Sequence, residues 1–123
     1  MKQKPYVKVV RRSTGEVLVE SARWCSSSLC RLRGLQFRSR LQPGEALILV
    51  EELDTMMSSS IHMFFVFFPI AAVWINSQGQ VTSAQLAKPW RPYYASPKPA
   101  RYVLETSPDF LNRIAAGDEV DFV

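Results

Sequence analysis

A chain of 123 residues with 47% apolar and 21% charged side chains has the balance of one globular domain, which excludes a disordered or fibrous protein. The formal charge of +4 is unevenly spread: residues 1–40 hold ten lysines and arginines against Glu16 and Glu20, whereas residues 41–123 hold five basic and nine acidic side chains. A basic third of this kind attracts phosphates or an acidic partner, or, more ordinarily, neutralises the acidic remainder across the fold.

In chain order, Tyr6–Arg11 reads as a strand, Ser13-Thr14-Gly15-Glu16 as a turn, and Val17–Glu20 as the returning strand of a hairpin. Ser26-Ser27-Ser28 offers N-cap hydroxyls, Leu29, Leu32 and Arg33 follow at helical spacing, and Gly34 suits a helix end, so a short helix is predicted over 27–33. Gln42-Pro43-Gly44-Glu45 is a turn, Ala46–Val50 an apolar strand, and 51–60 an exposed loop. Residues 61–75 form the one strongly apolar run, interrupted by Pro69. It is shorter than the roughly 20 residues of a spanning helix. Its Phe, Val and Ile favour two buried strands, Ile61–Phe68 and Ile70–Asn76.

Ser77-Gln78-Gly79-Gln80 is a hairpin turn leading to a strand over Val81–Ala87. Residues 89–99 combine four prolines with Trp90, Tyr93 and Tyr94, which predicts an ordered loop because proline removes ladder donors. Tyr102–Glu105 is a strand, and Ser107-Pro108-Asp109 opens a second short helix with Phe110, Leu111 and Ile114 as its apolar stripe. Gly117 ends it, and Glu119–Phe122 is a last strand. The fold class is therefore mostly β, a β-rich α+β domain over 1–123: a sandwich- or barrel-like mixed sheet of about seven or eight short strands with two short helices.

Catalytic and cofactor motifs are absent. Cys25 and Cys30 are five apart and His62 is the only histidine, which does not make a zinc set, so no metal is expected. No apolar run follows the first basic residues, so no signal peptide is read, the location is expected to be cytoplasmic, and both thiols are expected to be reduced. The scattered glycines make no phosphate loop, and no cofactor is expected. His62, inside an apolar run, reads as a core or pocket-wall side chain rather than a general base. Arg31, Arg33, Arg38 and Arg40, near Trp24 and Phe37, resemble a phosphate- and base-contacting cluster in composition. The reading preferred here has Gly34 and Arg38 fixing the helix exit and the arginines bonded to backbone carbonyls. Trp90, Arg91, Tyr93 and Tyr94 either line a shallow groove or clamp their own loop to the domain.

Four segments carry a family resemblance. Arg33-Gly34-Leu35-Gln36-Phe37-Arg38 is similar to an Arg-Gly-Leu-Met-x-Arg segment, and His62-Met63 through Pro69-Ile70 to a Trp-Met-Lys-Asn-Thr stretch followed by Pro-Leu-Asp. Pro99-Ala100-Arg101-Tyr102-Val103-Leu104-Glu105 is similar to Pro-Ala-x-Tyr-Val-Leu-Glu, and Gly117-Asp118 to a closing Gly-Asp. In that order they resemble the prokaryotic family called domain of unknown function 192, over about residues 16–122. The resemblance implies a compact β-rich, sandwich-like domain and no established activity; many members look exported or membrane-anchored. Phe64, Phe65 and Val66 stand where the family carries Lys, Asn and Thr, and Ala71 where it carries an acid. Any site built from those polar groups is lost here.

These readings make a non-enzymatic binding domain the leading expectation, with an apolar groove near Phe64–Phe68. Its candidate residues are Arg33, Arg38, His62, Phe64, Phe65, Trp90, Arg91 and Tyr94, and its partner is an unidentified ligand or protein, a second copy of the chain included. No catalytic residue is assigned. The alternatives are an enzyme built around His62 or Cys25, with Arg33 or Arg38 holding an anion, and a nucleic-acid accessory domain using the basic third, the less favoured partner class.

Overall fold

The hairpin predicted at the start of the chain sets the direction of the whole sheet. In a computed structural model, which describes residues 3–123, β1 (Tyr6–Arg11) pairs antiparallel with β2 (Val17–Cys25). Met1 and Lys2, the latter counted in the basic third, lie outside the described residues. β2 runs five residues beyond the predicted Glu20 and pairs in parallel with β3 (Ala46–Thr55). The crossover between them carries α1 (Ser28–Arg33). Ser27 Oγ accepts from the Cys30 amide at 3.1 Å, and Gly34 closes the helix with φ 49°, its amide donating to the Cys30 carbonyl.

β4 (Ile70–Ile75), β5 (Val81–Ala87), β6 (Ala100–Thr106) and β7 (Val120–Phe122) complete one seven-stranded mixed sheet in the order β5-β4-β6-β3-β2-β1-β7. The sheet curls into a half-barrel. Its two edge strands meet at one end, where the Val81 amide donates to the Asp118 carbonyl and the Val120 amide to the Gly79 carbonyl, both at 2.8 Å. This curled sheet replaces the two-layer sandwich.

Strand alternation divides the core in two. Every strand contributes to one face, including Val9, Ala22, Ile48, Val73, Val81, Leu104 and Val120, and Phe110 and Ile114 fill it. The opposite face carries Cys25, Leu47, Ile70, Ala72, Trp74 and Val103, and is covered by Leu35, Ile61, Met63 and Val66. β4 is buried along its whole length and contributes to both faces.

Several expectations are corrected. Ile61–Phe68 is not a strand. Only Ile61 makes a bridge, to Tyr94, and the rest turns across the sheet face, because side chains that must cover a sheet cannot also pair along its edge. Residues 51–55 are not loop but the continuation of β3. The second helix is a single 3₁₀ segment, Pro108–Asn112, which leaves α1 as the one α-helix among the described residues. Cys25 and Cys30 are bonded to each other, with Cα atoms 5.5 Å apart, because α1 folds back on the end of β2. The expectation of two reduced thiols falls. No helix among the described residues is long and apolar enough to cross a membrane.

Candidate functional site

Three loops meet over the second face of the sheet: the exit from α1, the 61–68 segment and the proline-rich loop. Backbone bonds fix them to one another. The Phe37 amide donates to the Phe65 carbonyl at 2.8 Å, the Trp90 amide to the Met63 carbonyl at 2.7 Å, and the Met63 amide to the Arg91 carbonyl at 2.7 Å. Gln36 Nε2 adds a bond to the Phe64 carbonyl at 3.2 Å.

This frame presents aromatic rings to solvent. Phe37 is 65% exposed, and Phe64, Phe65, Phe67 and Trp90 are 41–50% exposed. Phe37 stacks on Phe65 with ring centroids 4.9 Å apart, and Trp90 meets Phe65 edge-on at 5.0 Å and Phe67 at 5.8 Å. Phe37, Phe65 and Trp90 have φ of 63°, 61° and 66°, the left-handed region. They are the only non-glycine residues there among those described. Each such residue costs about 1–2 kcal/mol that glycine would not.

Between the exit of α1 and the 61–68 segment lies a cavity of about 80 Å³. Leu35, Leu49, Ile61, Met63, Val66 and Ile70 form its apolar wall. Glu105 lines it from β6, an interior strand of the sheet, on the face that also holds Val103. Glu105 is 5% exposed. A Cβ on Gly34 would stand 4.0 Å from its Oε1, so the carboxyl lies under the exit of α1. Burial alone raises its pKa from the usual carboxylate range to about 7, with no neighbouring charge or hydrogen bond opposing that shift.

The predicted residues divide among three environments. His62 and Arg33 line the cavity, and the His62 ring lies 5.3 Å from that of Phe64. Phe64, Phe65 and Trp90 belong to the aromatic surface. Arg91 is exposed on the adjoining loop, with its carbonyl bonded to Met63. Tyr94 is a clamp: it is half-buried, pairs with Ile61, and its hydroxyl accepts from the Lys88 amide at 2.9 Å. Arg38 lies apart, gripping Glu45 through two bonds of 2.7 and 2.6 Å. This hydrogen-bonded pair holds the Glu45 carboxyl below its ordinary pKa.

Much of the basic third is paired in the same way. Arg11 bonds Asp118, Arg12 bonds Glu119 and Asp121, and Arg31 reaches the Ser26 and Val50 carbonyls and Glu51. Among the described residues no group of three His, Cys, Asp or Glu side chains converges as a metal site.

The candidate residues left out Glu105, Phe37 and Phe67, although Phe37 was noted beside the arginine cluster and Phe67 falls within the Phe64–Phe68 groove. For Glu105 the signal was available: alternation along Tyr102–Glu105 puts it on the same side as Val103, an acid facing a core. For the two phenylalanines no local signal exists, because their exposure follows from how the loops dock.

The family model described as "Uncharacterized ACR", domain of unknown function 192, matches residues 9–122. The chain belongs to this family. Its curated relatives include the UPF0127 protein of Thermococcus sibiricus, 28% identical over 116 residues, covering 93% of this chain and 73% of the relative. The UPF0127 protein of Pyrococcus furiosus is 29% identical over 109 residues, covering 87% and 90%. Among solved structures, a Sinorhizobium meliloti protein provisionally described as a transcription regulator superposes with a TM-score of 0.81 at 19% identity, covering 98% of both chains. A protein of unknown function from Novosphingobium aromaticivorans gives 0.78 at 22%, covering 94% of this chain and 83% of its own. At these identities the two structures establish the family fold and carry no activity to this chain.

Proposed function

We propose that this member of the family is a small non-enzymatic binding domain whose working surface is the aromatic face formed by residues 37, 64–67 and 90. The observation that carries the reading is the set of three exposed aromatics held in left-handed backbone, with Phe65 in contact with both Phe37 and Trp90. A fold with no use for that surface has cheaper choices, glycine in the backbone and polar side chains in the loops. Stacked and edge-on rings suit a ligand with an apolar or planar face. The nucleic-acid alternative is disfavoured by the pairing of Arg11, Arg12, Arg31 and Arg38 with acids of the same chain.

The test is binding of the apolar dye 8-anilinonaphthalene-1-sulfonate to the wild type and to Phe65→Ala and Trp90→Ala, with sedimentation of each to record assembly. The reading expects saturable dye binding to a monomer that weakens at least tenfold in both variants. A monomer whose dye binding is absent, or unchanged by either substitution, refutes it. A dimer that dissociates in the variants makes a second copy the occupant of the face.

A further inference from the structure

The cavity between the exit of α1 and the 61–68 segment has a feature that packing does not explain. The Glu105 side chain, on an interior strand, is 5% exposed and faces the cavity with no hydrogen bond or ion pair, although an apolar side chain of similar size would fill the same space without the cost of desolvating a carboxyl. We propose that the cavity is the head-group pocket of this binding site and takes the ammonium of a primary amine, paired with Glu105. The proposal rests on the reading of this face as a binding surface and names the chemistry of what enters it.

Three observations point to an alkylammonium. The volume, about 80 Å³, is about half that of an engineered cavity that admits benzene, so it suits a head group with one or two methylenes rather than a ring. The buried part of the wall is apolar, from Leu35, Ile61, Met63, Val66 and Ile70, matching an alkyl stem, and the buried polar side chain among them, Glu105, is an acceptor when ionised. Phe64, whose ring lies 5.3 Å from that of the lining residue His62, adds an aromatic next to the cavity, and ring faces attract cations.

The other charged and titratable groups around the cavity are Arg31, Arg33 and His62. Arg31 is engaged by two carbonyls and Glu51. Arg33 and His62 are exposed, where water and salt screen them, whereas Glu105 is not screened. The buried part of the site therefore favours a cation. Because the ionised acid is the binding form, affinity should rise as pH increases toward and past 7.

The experiment is a titration of the full chain at pH 8 with n-butylammonium, and with n-butanol as its neutral counterpart, followed by amide and Glu carboxyl NMR. The proposal expects saturable shifts at Gly34, Leu35 and Met63 with n-butylammonium and a lowered titration midpoint for the Glu105 carboxyl. It also expects at least tenfold weaker binding of n-butanol, and of n-butylammonium by Glu105→Gln. Glu105→Gln is near-isosteric, and its amide spectrum reports whether it is folded. Equal binding of n-butanol, full binding by folded Glu105→Gln, or no shift at the cavity amides overturns the proposal. Should the cavity amides stay still while the dye binds the aromatic face, the amine pocket falls and the binding-domain reading stands; loss of both removes both.

Discussion

Glu105 makes the stability of this protein depend on pH in a definite direction. Its folded-state pKa of about 7 lies above the ordinary 4.5, so the native state holds the proton more tightly than the unfolded chain between those values. Stability from this group is therefore full below about pH 4.5, declines as pH rises to about 7, and is flat beyond. A shift of this size corresponds to about 3 kcal/mol over the whole range, of which about 2.5 kcal/mol falls between pH 5 and pH 8. Glu105→Gln removes the titration and keeps the shape. Denaturant unfolding of both proteins at pH 5 and pH 8 should show the variant gaining about 2.5 kcal/mol on the wild type, roughly 10 °C in melting temperature. Glu45, whose lowered pKa works in the opposite sense, contributes equally to both proteins and cancels. A difference between variant and wild type that stays constant within about 0.5 kcal/mol from pH 5 to pH 8 would refute the claim that the carboxyl is buried without a partner.

Three further outcomes test the frame around the site. Replacing both Cys25 and Cys30 by serine opens a cross-link between positions five apart and should lower stability by about 2 kcal/mol, read by denaturant unfolding against the oxidised wild type. At Phe65, glycine should be at least as stable as alanine, by up to about 1 kcal/mol, because both remove the ring but only glycine releases the left-handed strain; alanine clearly above glycine would place this residue in ordinary backbone. Gly79→Ala should destabilise by at least about 2 kcal/mol: φ there is 83°, and a Cβ would overlap the Val120 carbonyl and the Arg12 guanidinium where the edge strands meet. A neutral result in thermal unfolding would mean that the half-barrel does not close there.

Much of the architecture was legible because it is local. Tyr6–Arg11 alternates, Ser27 and Gly34 punctuate a helix, and Ser77–Gln80 turns a hairpin, each through side chains acting on their own backbone. The 61–68 segment was misread for a physical reason. Composition there records burial, and Ile61, Met63 and Val66 are buried, but they cover a sheet instead of joining one. Strand and cover are indistinguishable by hydrophobicity until the partner strand is known. The same limit hid the site. His62, Phe64, Phe65 and Trp90 were visible as chemistry in two separate loops, whereas the contacts of Phe65 with Phe37 and Trp90, and the placing of His62 and Glu105 on one cavity, depend on long-range docking that no sequence window contains.

Departures from local rules are not scattered over this molecule. The face to which all seven strands contribute follows alternation with apolar side chains and holds no left-handed aromatic. The other side combines an unpartnered acid in the core with three strained, exposed rings. Packing constraints would distribute such costs, and function concentrates them. If that argument holds, removing them together should improve the free protein at the expense of its task. The variant Phe37→Gly/Phe65→Gly/Glu105→Gln loses the Phe37–Phe65 and Phe65–Trp90 contacts, worth about 0.5–1.5 kcal/mol each, and sheds two left-handed residues at about 1–2 kcal/mol each. The carboxylate penalty disappears as well, and the ring terms are not additive because the rings touch. Net stability at pH 8 should rise by a few kcal/mol while dye and n-butylammonium binding are both lost. A triple variant that is less stable than the wild type at pH 8 would show that these features hold the fold together, and the case for a ligand site built at the expense of stability would fail.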